Sequence, residues 1–223
     1  MMAVNESGYQ QIVKGLQEAN ITLVAVSKTK PVSDIQVLLE LGQKDFGENY
    51  VQELVEKQSQ ITGDINWHFI GHLQTNKVKQ IISFVHLIHG VDSFKLLLEI
   101  NKQATKINRV VDCLLQVHIA EEETKFGMDE DEVKAVLDQV SSLTHVNIKG
   151  LMGMATFSDD ENIIRKEYKY LKQLYDTLVN ERIECTSFNI LSMGMSGDYN
   201  IAVEEGSNMV RIGSLIFGER NYA

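Results

Sequence analysis

Residues 21–42, ITLVAVSKTKPVSDIQVLLELG, hold one complete strand-and-helix unit. Thr22 to Ser27 is a β-branched, apolar run of strand length. Pro31, the only proline of the chain, punctuates it. Ser33 with Gln36 three residues on has the form of a capping box and predicts that the helix starts there. Ile35, Leu38 and Leu39 supply that helix with an apolar side. Val24, Val26 and Lys28 share one parity, so the lysine continues the face of the two valines beyond the strand.

The same alternation runs along the whole chain without a Pro-, Gly- or Ser-rich linker, an internal repeat or a low-complexity tract. An opening helix places Tyr9, Ile12, Val13 and Leu16 on one stripe. Strands are predicted at Thr22–Ser27, Asp45–Glu48, Trp67–Ile70, His86–His89, Cys113–Ile119, Ile148–Met154, Ser187–Leu191 and Met209–Ile212. Helices fall between them at Tyr50–Gln58, Lys77–Ile82, Phe94–Ile107, Glu130–Val140, Asn162–Leu178 and Tyr199–Glu205. In the long one, Ile164, Tyr168, Leu171, Tyr175 and Leu178 lie on one face. Strands alternating with helices, joined by right-handed crossovers, predict a closed (β/α)8 TIM barrel rather than an open doubly wound sheet. The early glycine-rich dinucleotide fingerprint of the open alternative is missing. A length of 223 residues suits one such barrel spanning 1–223, with 1–20 as an N-terminal helix packed on it.

Composition narrows the function classes. A net charge of −10 argues against a phosphate backbone as partner, so no nucleic acid is expected. The apolar runs are far shorter than a bilayer span, and the first ten residues lack the layout of an export signal, so the expectation is a cytoplasmic protein outside the membrane. Cys113 and Cys185 are far apart without metal-type spacing and are read as reduced structural residues. No metal is expected: His68, His72, His86 and His89 show no HExxH-like spacing, although His72 and His89 stand near the predicted site. The acidic stretch Asp129 to Glu132 reads as a helix start.

In a TIM barrel chemistry collects at the C-terminal ends of the strands, and here those ends are polar. The first carries Lys28 and Lys30; a lysine aimed into a barrel mouth is either salt-bridged or an amine with a lowered pKa able to attack an aldehyde. Lys28 is preferred, because Lys30 lies past the strand beside Pro31. The ends of strands seven and eight carry Gly194, Ser196, Gly197, Gly213 and Ser214, which read either as ordinary turn residues or as a phosphate cradle of backbone N–H and hydroxyl donors. Arg211 has the parity of Gly213 and needs an acceptor, whether in a structural salt bridge or in a site.

The blocks AVSKTKP (25–31), FGENYVQE (46–53), WHFIGHLQTNK (67–77), GLMGMA (150–155), LSMGMSGD (191–198) and MVRIGSLIFG (209–218) resemble the pyridoxal 5′-phosphate (PLP) homeostasis protein family, the YggS/PROSC-like proteins. The resemblance runs from about residue 21 onward. It implies a monomeric barrel like the N-terminal domain of alanine racemase, a fold-type III PLP protein. It also implies that Lys28 holds PLP as a Schiff base, that Arg211 faces the pyridine nitrogen, that Asn49 lies near the cofactor, and that Ser196, Gly213 and Ser214 contact its phosphate.

A permanent cation opposite the pyridine nitrogen disfavours protonating it and weakens the ring as an electron sink. The chain also ends soon after the eighth strand, without room for the domain that supplies a second base in alanine racemase. The expectation is therefore a PLP-binding carrier or regulator in vitamin B6 and amino-acid homeostasis, with apo-PLP enzymes as recipients and without established catalysis. Alternatives are a low-activity amino-acid racemase and, using the same lysine and cradle, a cofactor-free Schiff-base aldolase. Lys125 reads as a solvated loop lysine or a secondary acceptor.

Overall fold

The computed structural model describes residues 4–122, 126–181 and 188–218. Eight strands close into a barrel in chain order: β1 (Thr22–Val26), β2 (Asp45–Glu48), β3 (Asn66–Phe69), β4 (Leu87–Val91), β5 (Val111–Val117), β6 (Val146–Gly153), β7 (Ile190–Met195) and β8 (Met209–Ile212). All neighbours are parallel, and closure is made by β1 on β8, with Val24 beside Arg211 and Ala25 beside Ile212. The helices are α1 (Glu6–Glu18), α2 (Val32–Glu40), α3 (Val51–Gln60), α4 (Val78–Ile81), α5 (Phe94–Lys106), α6 (Glu130–Gln139), α7 (Glu161–Asn180), α8 (Tyr199–Glu204) and α9 (Ser214–Phe217). The architecture is the TIM barrel that the alternation predicts.

Strand parity divides the core in two. Leu23, Ala25, Phe46, Leu115, Leu151 and Ile212 join one large cluster with the helix faces. The intervening positions Val24, Leu87, Leu114, Met152 and Met209 pack only on each other, with Met154 and Ile190 against them. Because successive side chains of a strand point to opposite faces, this second cluster is the barrel lumen. Residues that continue its parity therefore also face inward, and that places Lys28, His68, His89, Ser192 and Arg211 on the lumen side.

α1 is built into the same large core. Tyr9 and Leu16 are buried, and Ile12 and Val13 pack beside them, as the stripe predicts. The Tyr9 hydroxyl donates to Gln43 Oε1 at 3.2 Å, and Gln43 Nε2 donates to the carbonyls of Leu23 and Asp45. Ile164, Tyr168, Leu171 and Leu178 of α7 are buried, whereas Tyr175 is only partly so and stacks on Phe188. Cys113 is a buried free thiol whose pKa burial pushes up, which suits a structural residue; Cys185 lies outside the described residues. Among the described residues no helix is long and apolar enough to cross a membrane.

Most element boundaries shift by one or two residues from the sequence reading, and three differences matter here. α2 starts at Val32 with extended Pro31 as its N-cap, and Ser33 makes no capping bond. The fixed φ of proline sets the turn before the serine is reached. His86 precedes β4 instead of opening it. The start predicted for the seventh strand at Ser187 lies outside the described residues, but its end is not at Leu191: β7 continues to Met195, across a register irregularity between Ser192 and Met195. Ser192 is thus a fully buried lumen residue and not part of a loop.

Gly150 shows how tightly the barrel closes. It has φ of +149°, and a Cβ there would sit 1.7 Å from the Ile190 carbonyl oxygen on the adjacent strand. Gly150→Ala should cost at least about 3 kcal/mol by forcing β6 and β7 apart. Gly15→Ala on the exposed side of α1, with open space around it, should instead gain about 0.5–1 kcal/mol. Urea unfolding midpoints of the two variants check both signs.

Candidate functional site

The segment that leaves β1 is held from below by a buried charge cluster. Lys57 of α3 and Glu48 of β2 are both buried, and the lysine ammonium has three donors to place. It places them on the Ser27 carbonyl at 2.7 Å, Glu48 Oε1 at 2.8 Å and Glu53 Oε1 at 2.7 Å. Ser27 Oγ donates to the same Glu48 oxygen at 2.6 Å, and Glu53 accepts the Thr29 N–H at 2.6 Å. Burial holds the Glu48 carboxyl above the ordinary range, against the pull of the Lys57 ammonium. Thr29 takes a positive φ of 64°. The residues on both sides of Lys28 are therefore fixed, and its side chain leaves a rigid base. Lys30, of equal parity, turns elsewhere: its amine donates to the carbonyl of Phe217 at 2.7 Å.

Above the lumen core a cavity of about 330 Å³ opens at the C-terminal ends of the strands. Lys28, Asn49, Ser196, Arg211, Gly213 and Ser214 all line it, so the structure brings the six predicted site residues together. The sequence reading did not single out the apolar walls, which are Val26, Ile70, Met154, Phe157 and Met195. Phe157 is almost fully exposed at the rim. Ser196 Oγ accepts the Gly213 N–H at 3.1 Å, tying the loop after β7 to the end of β8. Asp198 fixes that loop further by accepting the Met195 N–H at 2.6 Å and the Tyr168 hydroxyl at 2.8 Å. At Gly213 an added Cβ would press on Val26 at 3.2–3.3 Å, so glycine lets the two strands meet under the cavity. Asn49 lines the cavity, and among the described residues its buried Oδ1 accepts no hydrogen bond.

Arg211 is the cation of the floor. It is buried, and among the described residues its acceptors are neutral: the carbonyls of Ser192 and Gly153 at 3.0 Å and Ser192 Oγ at 2.6 Å. Burial pulls its pKa down while Tyr168 and Asp198 oppose the shift. His89 is also buried, its Nδ1 3.3 Å from Ser192 Oγ. His72 is directed away, paired with Asp92 at 2.9 Å and stacked on Phe126. Lys125 lies outside the described residues. Ligand atoms of Asp45, His68 and His86, at the opposite end of the lumen, lie within 4.8 Å of one another and form the one group of described residues with metal-type spacing. His68 Nε2 and Asp45 Oδ1 there already satisfy each other at 2.9 Å.

Chemically, the cavity offers an amine on a rigid base, hydroxyl and backbone donors on one side, a buried guanidinium in its floor, and apolar walls that suit a flat ring. Among the described lining residues, Lys28 and Arg211 are the two with ionisable side chains, and Arg211 keeps its charge.

The family described as alanine racemase, N-terminal domain, matches residues 6–221. A pyridoxal phosphate homeostasis protein of Aquifex aeolicus is 40% identical over 205 residues, covering 90% of this chain and 87% of that one. Its counterpart in Haemophilus influenzae is 37% identical over 226 residues, covering 96% and 93%. The structure of PipY from Synechococcus elongatus with PLP bound superposes with a TM-score of 0.84 at 31% identity, covering 93% of this chain and 99% of that one. With its closed barrel, its clustered lysine, arginine and serines, and this breadth of similarity, the chain belongs to the pyridoxal phosphate homeostasis protein family, within the alanine racemase N-terminal domain fold.

Proposed function

We propose that this protein binds PLP in the 330 Å³ cavity, through a Schiff base to Lys28, and serves as a carrier or regulator of the cofactor in vitamin B6 and amino-acid homeostasis. The observation that carries the reading is the convergence of Lys28, Asn49, Ser196, Arg211, Gly213 and Ser214, from four strand ends, on one cavity. Their chemistry fits the ligand. An amine is there for an aldehyde, hydroxyls for a phosphate, and the Asn49 side chain beside them. The PLP-bound PipY structure supports the choice of ligand.

When bound, PLP supplies an aldehyde that condenses reversibly with an amine, and a ring that can withdraw electrons. The residues of this chain set how far either property is used. The cluster of Lys57, Glu48 and Glu53 presents Lys28 from a fixed backbone. Ser196 and Ser214 hold an anion with hydroxyl groups, and Ser214 opens α9, where the first N–H groups lack helical acceptors. Arg211 keeps a permanent positive charge in the floor and so opposes protonation of a ring nitrogen placed beside it. Racemisation needs two bases at the substrate carbon, and the described lining offers Lys28 alone. These features favour holding and releasing the cofactor over carbanion chemistry. Passing it to an apo-PLP enzyme in cytoplasmic surroundings, as a monomer, is the physiological role proposed.

Three outcomes are expected. Borohydride reduction of the PLP-loaded protein should fix the cofactor on the peptide that contains Lys28, and Lys28→Ala should lose both this adduct and the visible absorbance. An adduct on Lys30 or Lys125 would contradict the assignment. Ser196→Ala should weaken PLP about tenfold, the scale of one hydrogen bond to a charged group, and leave pyridoxal, which lacks the phosphate, nearly unaffected. Binding titrations with the two ligands separate these cases. Loaded protein should reactivate an apo-PLP enzyme faster than PLP escapes into solution; equal rates would rule out direct transfer, and solvent deuterium entering amino acids at the α-carbon would favour the racemase.

A further inference from the structure

The lumen carries an unbroken line of hydrogen bonds from the cavity floor to the far end of the barrel. Arg211 Nη1 lies 2.6 Å from Ser192 Oγ, Ser192 Oγ 3.3 Å from His89 Nδ1, His89 Nε2 2.9 Å from His68 Nδ1, and His68 Nε2 2.9 Å from Asp45 Oδ1. Ser192, His68, His89 and Arg211 are all buried, and Asp45 is partly exposed. Five side chains from five strand regions thus span the interior, threading the lumen between its apolar residues.

The direction of every bond follows from the two ends. Asp45 is a carboxylate, held below the usual range by the hydrogen bond from His68 despite burial, so it can only accept. His68 Nε2 must therefore carry a proton. Burial lowers the pKa of both rings, and at His89 the nearby positive charge of Arg211 lowers it further, so both are neutral at neutral pH. A neutral imidazole has one proton, so His68 Nδ1 accepts from His89 Nε2, and His89 Nδ1 accepts from the Ser192 hydroxyl. With its proton committed downward, Ser192 Oγ has only lone pairs left for Arg211. Asn66 and His86 also border the lower end, Asn66 donating to the same Asp45 oxygen at 3.0 Å and the His86 ring lying 5.3 Å from that of His68.

We infer that Asp45, His68, His89 and Ser192 form a one-directional positioning relay, which fixes the Arg211 guanidinium in the cavity floor from the opposite end of the barrel. These are positioning residues: of the four, only Ser192 touches Arg211, and none lines the cavity. The tautomer assignment stands on the hydrogen-bond geometry and the burial of the two rings, and needs no cofactor. The effect on a bound ring nitrogen rests on the PLP reading above. A relay of this kind makes the orientation of Arg211 depend on a carboxylate that no cofactor reaches.

Two measurements test it. Nitrogen-15 NMR of the histidine rings in the cofactor-free wild-type protein at neutral pH should show His68 and His89 both neutral with the proton on Nε2. A proton on Nδ1 of either ring, or a charged ring, overturns the relay without any variant. Binding of PLP is then compared with a PLP analogue whose ring nitrogen is replaced by carbon. His89→Phe and Asp45→Ala should each weaken PLP about tenfold and leave the analogue within about twofold, with His89→Gln partly restoring the preference. Folded variants with an unchanged PLP-to-analogue ratio overturn the inference. Failure of the wild-type protein to bind PLP at all would instead strike the proposed function and remove the ligand half of the inference, while the NMR result still decides the tautomers.

Discussion

A closed parallel barrel admits one set of side chains from each strand into its lumen, and a cation buried there must be given partners by the strands themselves. Arg211 is that cation. Its neighbours β6 and β7 meet it with two carbonyls and a hydroxyl, all neutral. A buried ion pair at this position would have cancelled the charge; neutral acceptors hold the guanidinium in place and leave its field directed into the cavity. The polar interior follows from this choice, since Ser192 is itself buried and needs His89, and His89 needs His68. The line ends only where Asp45 reaches partial solvent exposure.

The second constraint is on the amine. Lysine is a flexible side chain, so its aim depends on its backbone. The exit from β1 is held by an ammonium with all three donors used and by a glutamate that caps the Thr29 N–H. Burying Lys57 and Glu48 is expensive unless each is fully paired, and Glu48 retains one oxygen without a partner among the described residues. Such a cluster contributes little as a source of stability. Its consequence is geometric: it holds the segment that carries Lys28 while Lys30, two residues on, is diverted to the end of α9.

How much of this could be read in the sequence depended on whether a residue's role was set by strand period or by packing around it. The barrel was legible because eight apolar runs alternate with amphipathic stretches, and the six cavity residues because they stand at strand ends in blocks that resemble a known family. Parity placed Lys28 and Arg211 on the correct face. The same parity extends to Ser192 and His89, but the Gly194 region looks like turn sequence and hides the fact that β7 runs through it. The Lys57 cluster has no such signal: a lysine and glutamate four residues apart on a helix usually mark a solvated face, and here the lysine is buried against Glu48 of β2. Ser33 failed as a cap because Pro31 had already set the turn.

The central claim is that one amine at the mouth of this barrel bonds to the carbonyl carbon of PLP while hydroxyls across the cavity hold its phosphate. A crystal structure of the protein grown with excess PLP tests this most directly. Continuous density from Lys28 Nζ into the ring, with the phosphate against Ser196 and Ser214, is the predicted result. An unmodified Lys28 in such crystals, with PLP bound elsewhere or not at all, would contradict it.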